Sequence, residues 1–201
     1  MKKTIPYYLF AGAFLSVSLI FQATFVSAQS KSKKAANQKL PNIIYIYADD
    51  LGYGELGCYG QQKIKQSGLD ENTIIMFSSD NGPTFNGGVN AAFFNSAGGL
   101  RGLKMDLYEG GIREPFIARW PGKIPAGKTS GLVSAQFDMM ATFAALTGQK
   151  PGHTDGISLL PELLGNSKAQ TKRNYIYFEY PEKGGQVAIR MGNWKGIISL
   201  I

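Results

Sequence analysis

Two acidic stretches are the residues of this chain best suited to do chemistry. Asp49 and Asp50 directly follow one apolar run, and Asp80 and Asn81 directly follow a second. Ligands gather outside the carboxyl ends of the strands in a parallel α/β sheet, so we expect these side chains to converge. Their oxygen atoms suit a hard divalent cation. The spacing therefore predicts half of a divalent-metal site, although Asp and Asn at such positions also form ordinary turns and caps.

The strands that must position these residues predict an α/β fold with a mainly parallel sheet flanked by helices. The runs 42–48 and 73–79 are apolar along their whole length, which is typical of parallel strands buried on both faces. A further strand is expected over 116–120. The alternation over 174–180, followed by 186–191, predicts a C-terminal β-hairpin.

Helix signals are concentrated in the second half of the chain. The clearest helix is predicted over 134–146, with Gly148 as its C-terminal stop. A short helix is expected over 158–164. Five side chains at helical spacing predict the buried stripe of the longer helix: Phe137, Met140, Ala141, Ala144 and Ala145.

The chain start predicts an exported protein. Residues 1–28 have the basic, apolar and small-residue parts of a signal peptide, and an uncleaved membrane anchor is the alternative. Residues 29–39 are polar and predict a disordered linker, so the folded domain is expected over 40–201. The single cysteine, Cys58, excludes an internal disulfide. These features favour a periplasmic or secreted location in a bacterium, with no stable membrane span after signal cleavage.

Composition and charge narrow the function classes. The 201 residues are 44% hydrophobic and 17% charged, as in a globular protein. Six lysines of the first 39 residues account for all but +1 of the formal net charge of +7: Lys2, Lys3, Lys31, Lys33, Lys34 and Lys39. No basic face therefore remains in the expected domain to favour a nucleic-acid partner.

Several motifs after Leu40 resemble the sulfatase family of the alkaline-phosphatase-like superfamily. The paired Asp and the Ser-Asp-Asn-Gly stretch occur in the family's order, and three further stretches agree with the next part of the family's sequence. These are Leu100 to Lys104, Tyr108 to Pro115 and Arg119 to Gly122. The resemblance implies an incomplete sulfatase fold, internally deleted and truncated at its C-terminal end.

The resemblance also implies roles for particular residues. Four of them correspond to the family's calcium ligands: Asp49, Asp50, Asp80 and Asn81. Lys104 stands where the family has a lysine that contacts the sulfate. Arg113 and Glu114 are expected to form a structural pair beneath that loop. A sulfated small molecule or glycan is the implied partner, whereas the sequence does not indicate the oligomeric state.

One required part of the family's chemistry is missing. Sulfatases carry a Cys or Ser in the pattern Cys/Ser-x-Pro-x-Arg, which becomes the formylglycine nucleophile, and no stretch of this chain fits it. Cys58 lacks the Pro and the Arg, and His153, the only histidine, stands far along the chain from the acidic stretches. The join between Ile64 and Lys65 is where the resemblance places the deletion.

Three interpretations of the activity remain. The chain is a sulfuric ester hydrolase with an unrecognised nucleophile, a non-catalytic secreted protein that binds a cation or a sulfated glycan, or a truncated gene product. The missing pattern favours the second or third interpretation over the first.

Overall fold

The computed structural model describes residues 39–50 and 66–199 of the chain, and the described residues from Leu40 onward belong to one compact unit. The predicted signal peptide, most of the predicted linker and Cys58 lie outside the described residues. Among the residues that are described, no helix is long and apolar enough to cross a bilayer. The unit contains two three-stranded sheets.

The first sheet carries the acidic stretches. It has the order β1 (Asn42–Ala48), β2 (Thr73–Ser79) and β3 (Phe116–Arg119), and a short 3-10 helix, Asp70–Asn72, leads into β2. Strands β1 and β2 run parallel, whereas β3 pairs antiparallel to β2. The predicted strands are confirmed, but the mainly parallel sheet is wrong for the described residues. The long glycine-rich connection before β3 reverses the direction of the chain. The composition of a strand does not indicate whether it pairs parallel or antiparallel with its neighbour.

Burial differs between the two parallel strands. Strand β2 is buried along almost its whole length, as predicted. Strand β1 was expected to be buried on both faces, yet Ile46 and Tyr47 are 38% and 50% exposed. The reason is position: β2 has a paired strand on each side, whereas β1 pairs only with β2 among the described strands.

The helices are shorter than the sequence predicts. They are α1 (Glu109–Ile112), α2 (Asp138–Leu146) and α3 (Leu160–Leu163), with a second 3-10 helix at Ser167–Ala169. Helix α2 begins four residues later than expected. Its first residue, Asp138, accepts a hydrogen bond from the Ala135 backbone N–H at 2.8 Å, so the preceding residues form a turn that leads into the helix.

The predicted apolar stripe of α2 is wrong for most of its residues, although Ala141 is buried as predicted. Phe137 and Met140 are 43% and 64% exposed, whereas the polar residues Asp138 and Thr142 are fully buried. Thr142 donates to the Asp138 carbonyl and accepts from the Leu159 N–H at 3.0 Å, so its burial costs little. The helix face that carries these residues packs on the sheet. Five apolar residues form the buried core there: Ile74, Met76, Met139, Leu146 and Leu159.

The second sheet confirms the C-terminal hairpin and extends it. Strands β4 (Ile176–Tyr180), β5 (Gln186–Met191) and β6 (Trp194–Ser199) pair antiparallel in sequence order. Strand β6 was not predicted. One face of this sheet packs against the loop before α1, where the Gln186 side chain bonds the Leu107 N–H and the Met105 carbonyl, both at 3.2 Å.

Candidate functional site

The parallel pairing of β1 and β2 brings the acidic stretches together. Ala48 and Ser79 are register partners at the carboxyl ends of the strands, so the residues after them leave the same edge of the sheet. Asp49, Asp50 and Asp80 each place one carboxylate oxygen within 4.8 Å of the others. The structure therefore gathers the three predicted carboxylates into one cluster.

Backbone conformation turns Asp50 toward β2. Its φ of 57° lies in the left-handed region, which Asp and Asn enter more readily than most residues. In that conformation the Asp50 N–H donates to Asp80 Oδ1 at 3.0 Å. The Asn81 side chain donates from Nδ2 to Asp50 Oδ1 at 2.8 Å and to the Gly82 carbonyl at 3.0 Å. These bonds fix the two strand ends relative to each other.

Lys104 reaches the cluster from the loop that precedes α1. Its Nζ forms an ion pair with Asp50 Oδ1. Hydrogen bonds from Asn81 and Lys104 lower the pKa of Asp50. The hydrogen bond to Asp50 raises the pKa of Lys104, and Asp49 and Asp80 add to that effect. At neutral pH the site therefore holds an ionised Asp50 beside a charged lysine.

Close packing of glycines positions this loop. Gly82 donates from its N–H to the Gly111 carbonyl at 2.9 Å, and the Lys104 N–H bonds the Pro83 carbonyl at 3.0 Å. A Cβ on Gly82 would lie 1.9 Å from the Gly110 carbonyl oxygen, and one on Gly110 would lie 2.1 Å from the Gly102 oxygen. Real Cβ atoms do not approach backbone so closely. Only glycine lets the Lys104 loop lie against the end of β2.

We expect Gly82→Ala to destabilise the protein by about 1–3 kcal/mol, because the new methyl group overlaps backbone that cannot move aside. Gly131→Ala is the matched control, since Gly131 has open space around it and no positive φ, and its effect should stay within about 0.5 kcal/mol. Urea unfolding of both variants gives the comparison. Equal stabilities would contradict the role assigned to this packing.

Glu114 is a site residue that the sequence did not identify. Arg113 forms an ion pair with Glu109 at 3.7 Å instead, so the predicted pair of Arg113 and Glu114 is wrong. Both carboxylate oxygens of Glu114 are buried without a hydrogen-bond partner in the described structure. Burial and the nearby negative charge of Asp80 raise the pKa of Glu114 to about 8. Desolvation and the charges of Asp80 and Glu114 likewise raise the pKa of Tyr47.

Glu114 should make stability fall as the pH rises. The folded state holds the proton up to a pKa of about 8, whereas the unfolded chain releases it near 4.5. The unfolded state therefore binds fewer protons between these values, and the free energy of unfolding decreases across that window. In chelator-containing buffer, the stability of Glu114→Gln should exceed that of the wild type increasingly from pH 4.5 to about 8. A pH-independent difference would contradict the assignment.

The structure does not bring every candidate to the cluster. His153 is exposed in the turn before α3 and is not among the clustered residues. The sequence did not identify Gln136, which supports the site from outside the cluster. Its Nε2 donates to Ser78 Oγ and to the Ser79 carbonyl, both at 2.9 Å. These bonds tie the turn before α2 to the end of β2. A lone Gln before a helix carries no sequence signal for such a contact.

Comparisons with known proteins agree with this geometry. The family model described as Sulfatase matches residues 61–149. Human arylsulfatase A is 41% identical over 135 residues, which are 64% of this chain and 25% of that protein. N-acetylgalactosamine-6-O-sulfatase of Bacteroides thetaiotaomicron is 38% identical over 138 residues, with 64% and 26% covered. The chain thus spans about a quarter of the length of these relatives.

Solved structures give the same result for the fold. The crystal structure of Ps i-CgsB in complex with k-i-k-neocarrahexaose superposes with a TM-score of 0.56 at 33% identity. The superposed region covers 68% of this chain and 30% of the Ps i-CgsB chain. The described architecture is therefore part of the alkaline-phosphatase-like fold of these enzymes. From its motifs, its fold and these relatives, we conclude that this chain belongs to the sulfatase family.

Proposed function

We propose that this chain binds a divalent cation at the β1 and β2 ends and, together with Lys104, holds the sulfate group of a sulfated sugar or small molecule without cleaving it. The observation that carries the proposal is the convergence of three carboxylates beside one lysine. Family membership supports an ancestral sulfate-ester hydrolysis, whereas the binding role is our inference for this chain.

The donor set fits a hard cation. Asp49, Asp50 and Asp80 gather three negative charges, and Lys104 pairs with one of them. Like charges at this spacing disfavour one another unless a positive charge offsets them. Asn81 uses its amide nitrogen for the bonds to Asp50 and Gly82, so its Oδ1 is the atom offered to a cation. An all-oxygen set of this kind suits calcium.

Each part of the site has a separate task in this proposal. A bound divalent cation supplies a positive charge that attracts sulfate oxygens. Lys104 adds a second positive charge, and the glycine packing of its loop holds it at the cluster. Asp50 orients the lysine through their ion pair. Together these residues bind a sulfate group without any requirement for bond cleavage.

The chemical class of the ligand rests on the relatives. The bacterial relative is named for a sulfate on an amino sugar, and the Ps i-CgsB structure was solved in complex with k-i-k-neocarrahexaose. We infer that a sulfated glycan is the natural partner of this chain. Export, as the first 28 residues predict, would place the chain where such glycans are met.

An aryl-sulfate assay tests the proposal. With 4-nitrophenyl sulfate and calcium, we expect no release of 4-nitrophenol above the uncatalysed rate, because no residue pattern in the 201-residue sequence supplies the family's nucleophile. Calorimetry in the same buffer should still detect calcium-dependent binding of the aryl sulfate. Turnover that disappears in Asp80→Ala would contradict the proposal and favour a hydrolase with another nucleophile.

A further inference from the structure

A pocket with a mixed polar and apolar lining lies beside the site, between the loop before α1 and the second sheet. Its volume is about 440 Å³. It is lined by Gly99, Leu100, Arg101, Tyr108 and Glu109, and by Lys195 and Ile197 of β6. The proposed sulfate site uses none of these side chains.

The charge of this pocket is positive. Glu109 bonds Lys195 at 2.9 Å and Arg190 at 3.0 Å, and Arg113 lies 3.7 Å away. Burial opposes the ionised form of Glu109, yet Lys195 and Arg190 hold the pKa of its carboxyl below the ordinary value. The Glu109 carboxylate is thus close to three cationic side chains, and Arg101 adds a fourth positive charge to the surroundings. The surroundings favour an anion in the pocket.

Arg101 is the group prepared to bind that anion. Its guanidinium stacks on the Tyr108 ring at 3.8 Å from the centroid, which fixes the orientation of the plane. No ion pair joins this guanidinium to the described residues, so its N–H donors remain available. A planar guanidinium held in this way suits the two oxygens of a sulfate or carboxylate group.

The pocket and the sulfate site are close enough for one ligand. Arg101 and Lys104 are three residues apart, so their Cα atoms lie no more than about 11 Å from each other. On the second sheet, Ile197 lines the pocket. A short oligosaccharide can therefore occupy both places.

We propose that this pocket is a second anion subsite, in which Arg101 binds a sulfate or carboxylate group on a neighbouring ring of a glycan whose first sulfate lies at Lys104. The inference rests on the proposed function. It narrows the ligand class from any sulfate ester to glycans that carry at least two anionic groups.

Three synthetic disaccharides test the subsite by calorimetry with the full chain and calcium. One carries a single sulfate, one carries two sulfates on adjacent rings, and one carries a sulfate and a uronate carboxylate. We expect at least one of the two dianionic ligands to bind about tenfold more tightly than the monosulfated one, as a charge-assisted hydrogen bond provides. The tighter ligand identifies which anion the pocket takes.

Arg101→Ala should remove that tenfold preference and leave the affinity for the monosulfated disaccharide unchanged. Lys128→Ala is the matched control, because it removes one exposed positive charge from a loop outside the pocket, and it should keep the preference. Equal affinities of all three disaccharides for the wild type, or a preference that survives in Arg101→Ala, would overturn the subsite alone. A chain that binds none of them would overturn the proposed function as well.

Discussion

Asp138→Ala is expected to lower the free energy of unfolding by about 3–5 kcal/mol, the cost of removing one partner of a buried ion pair. Asp138 is fully buried, and Arg173, which is 13% exposed, bonds both of its carboxylate oxygens. The same carboxylate accepts the Ala135 and Ile157 N–H groups, each at 2.8 Å. Alanine therefore leaves a largely buried guanidinium and two partly buried backbone donors without their acceptor.

Asp70→Ala provides the comparison for this variant. Asp70 also pairs with an arginine through both oxygens, but Arg119 is 49% exposed. Its loss should cost about 1 kcal/mol or less. Guanidinium unfolding measures both variants at pH 7. Similar losses of unfolding free energy in the two variants would show that burial does not make the Asp138 pair more stabilising than the exposed Asp70 pair.

Asp80→Ala is expected to weaken calcium binding by at least about 10- to 100-fold, the range that loss of even an outer-sphere partner produces. The substitution removes one of the three clustered carboxylates and the acceptor of the Asp50 N–H. Both changes reduce the affinity, because the first removes a ligand and the second releases the conformation of the β1 end.

The control for charge is Asp155→Ala. Asp155 is exposed in the turn before α3 and does not belong to the acidic cluster. Asp155→Ala changes the net charge by the same amount as Asp80→Ala. The calcium affinity of Asp155→Ala should stay within about twofold of the wild type, as expected for a distant exposed charge screened by salt. A comparable loss in both variants would indicate that calcium senses net charge rather than a defined site.

The parts of the fold that the sequence predicts well are those with a strong local signal. Strands β1 and β2 have the predicted bounds, because each is a continuous apolar run that ends at acidic residues. Their parallel register then places Asp49 and Asp80 at one edge. The convergence of the acidic stretches was therefore accessible from pattern alone.

The parts that could not be predicted depend on partners distant in the chain. The buried face of α2 includes Asp138 because Arg173, 35 residues later, neutralises it. An apolar stripe cannot reveal that pairing. Glu114 directly follows Arg113 in the sequence, which suggests that the two form a pair. Arg113 instead forms its ion pair with Glu109, which lies one helical turn before it. The order of charges over 109–114 did not indicate which carboxylate would be buried with no hydrogen-bond partner among the described residues.

Family membership and activity are separate questions for this protein. The motifs and relatives identify the sulfatase family, and the geometry gathers the acidic residues and Lys104 at one edge of the sheet. The nucleophile pattern is absent from the same sequence. The acidic cluster is thus the feature on which the proposed binding function stands.

Calcium titration of the full chain by calorimetry, after removal of bound ions with a chelator, tests the central claim most directly. We predict one calcium ion bound per chain and a rise in the melting temperature as calcium is added, since a ligand that binds only the folded state stabilises it. A titration with no binding heat and no change in the melting temperature would contradict the assignment of Asp49, Asp50, Asp80 and Asn81 as a cation site.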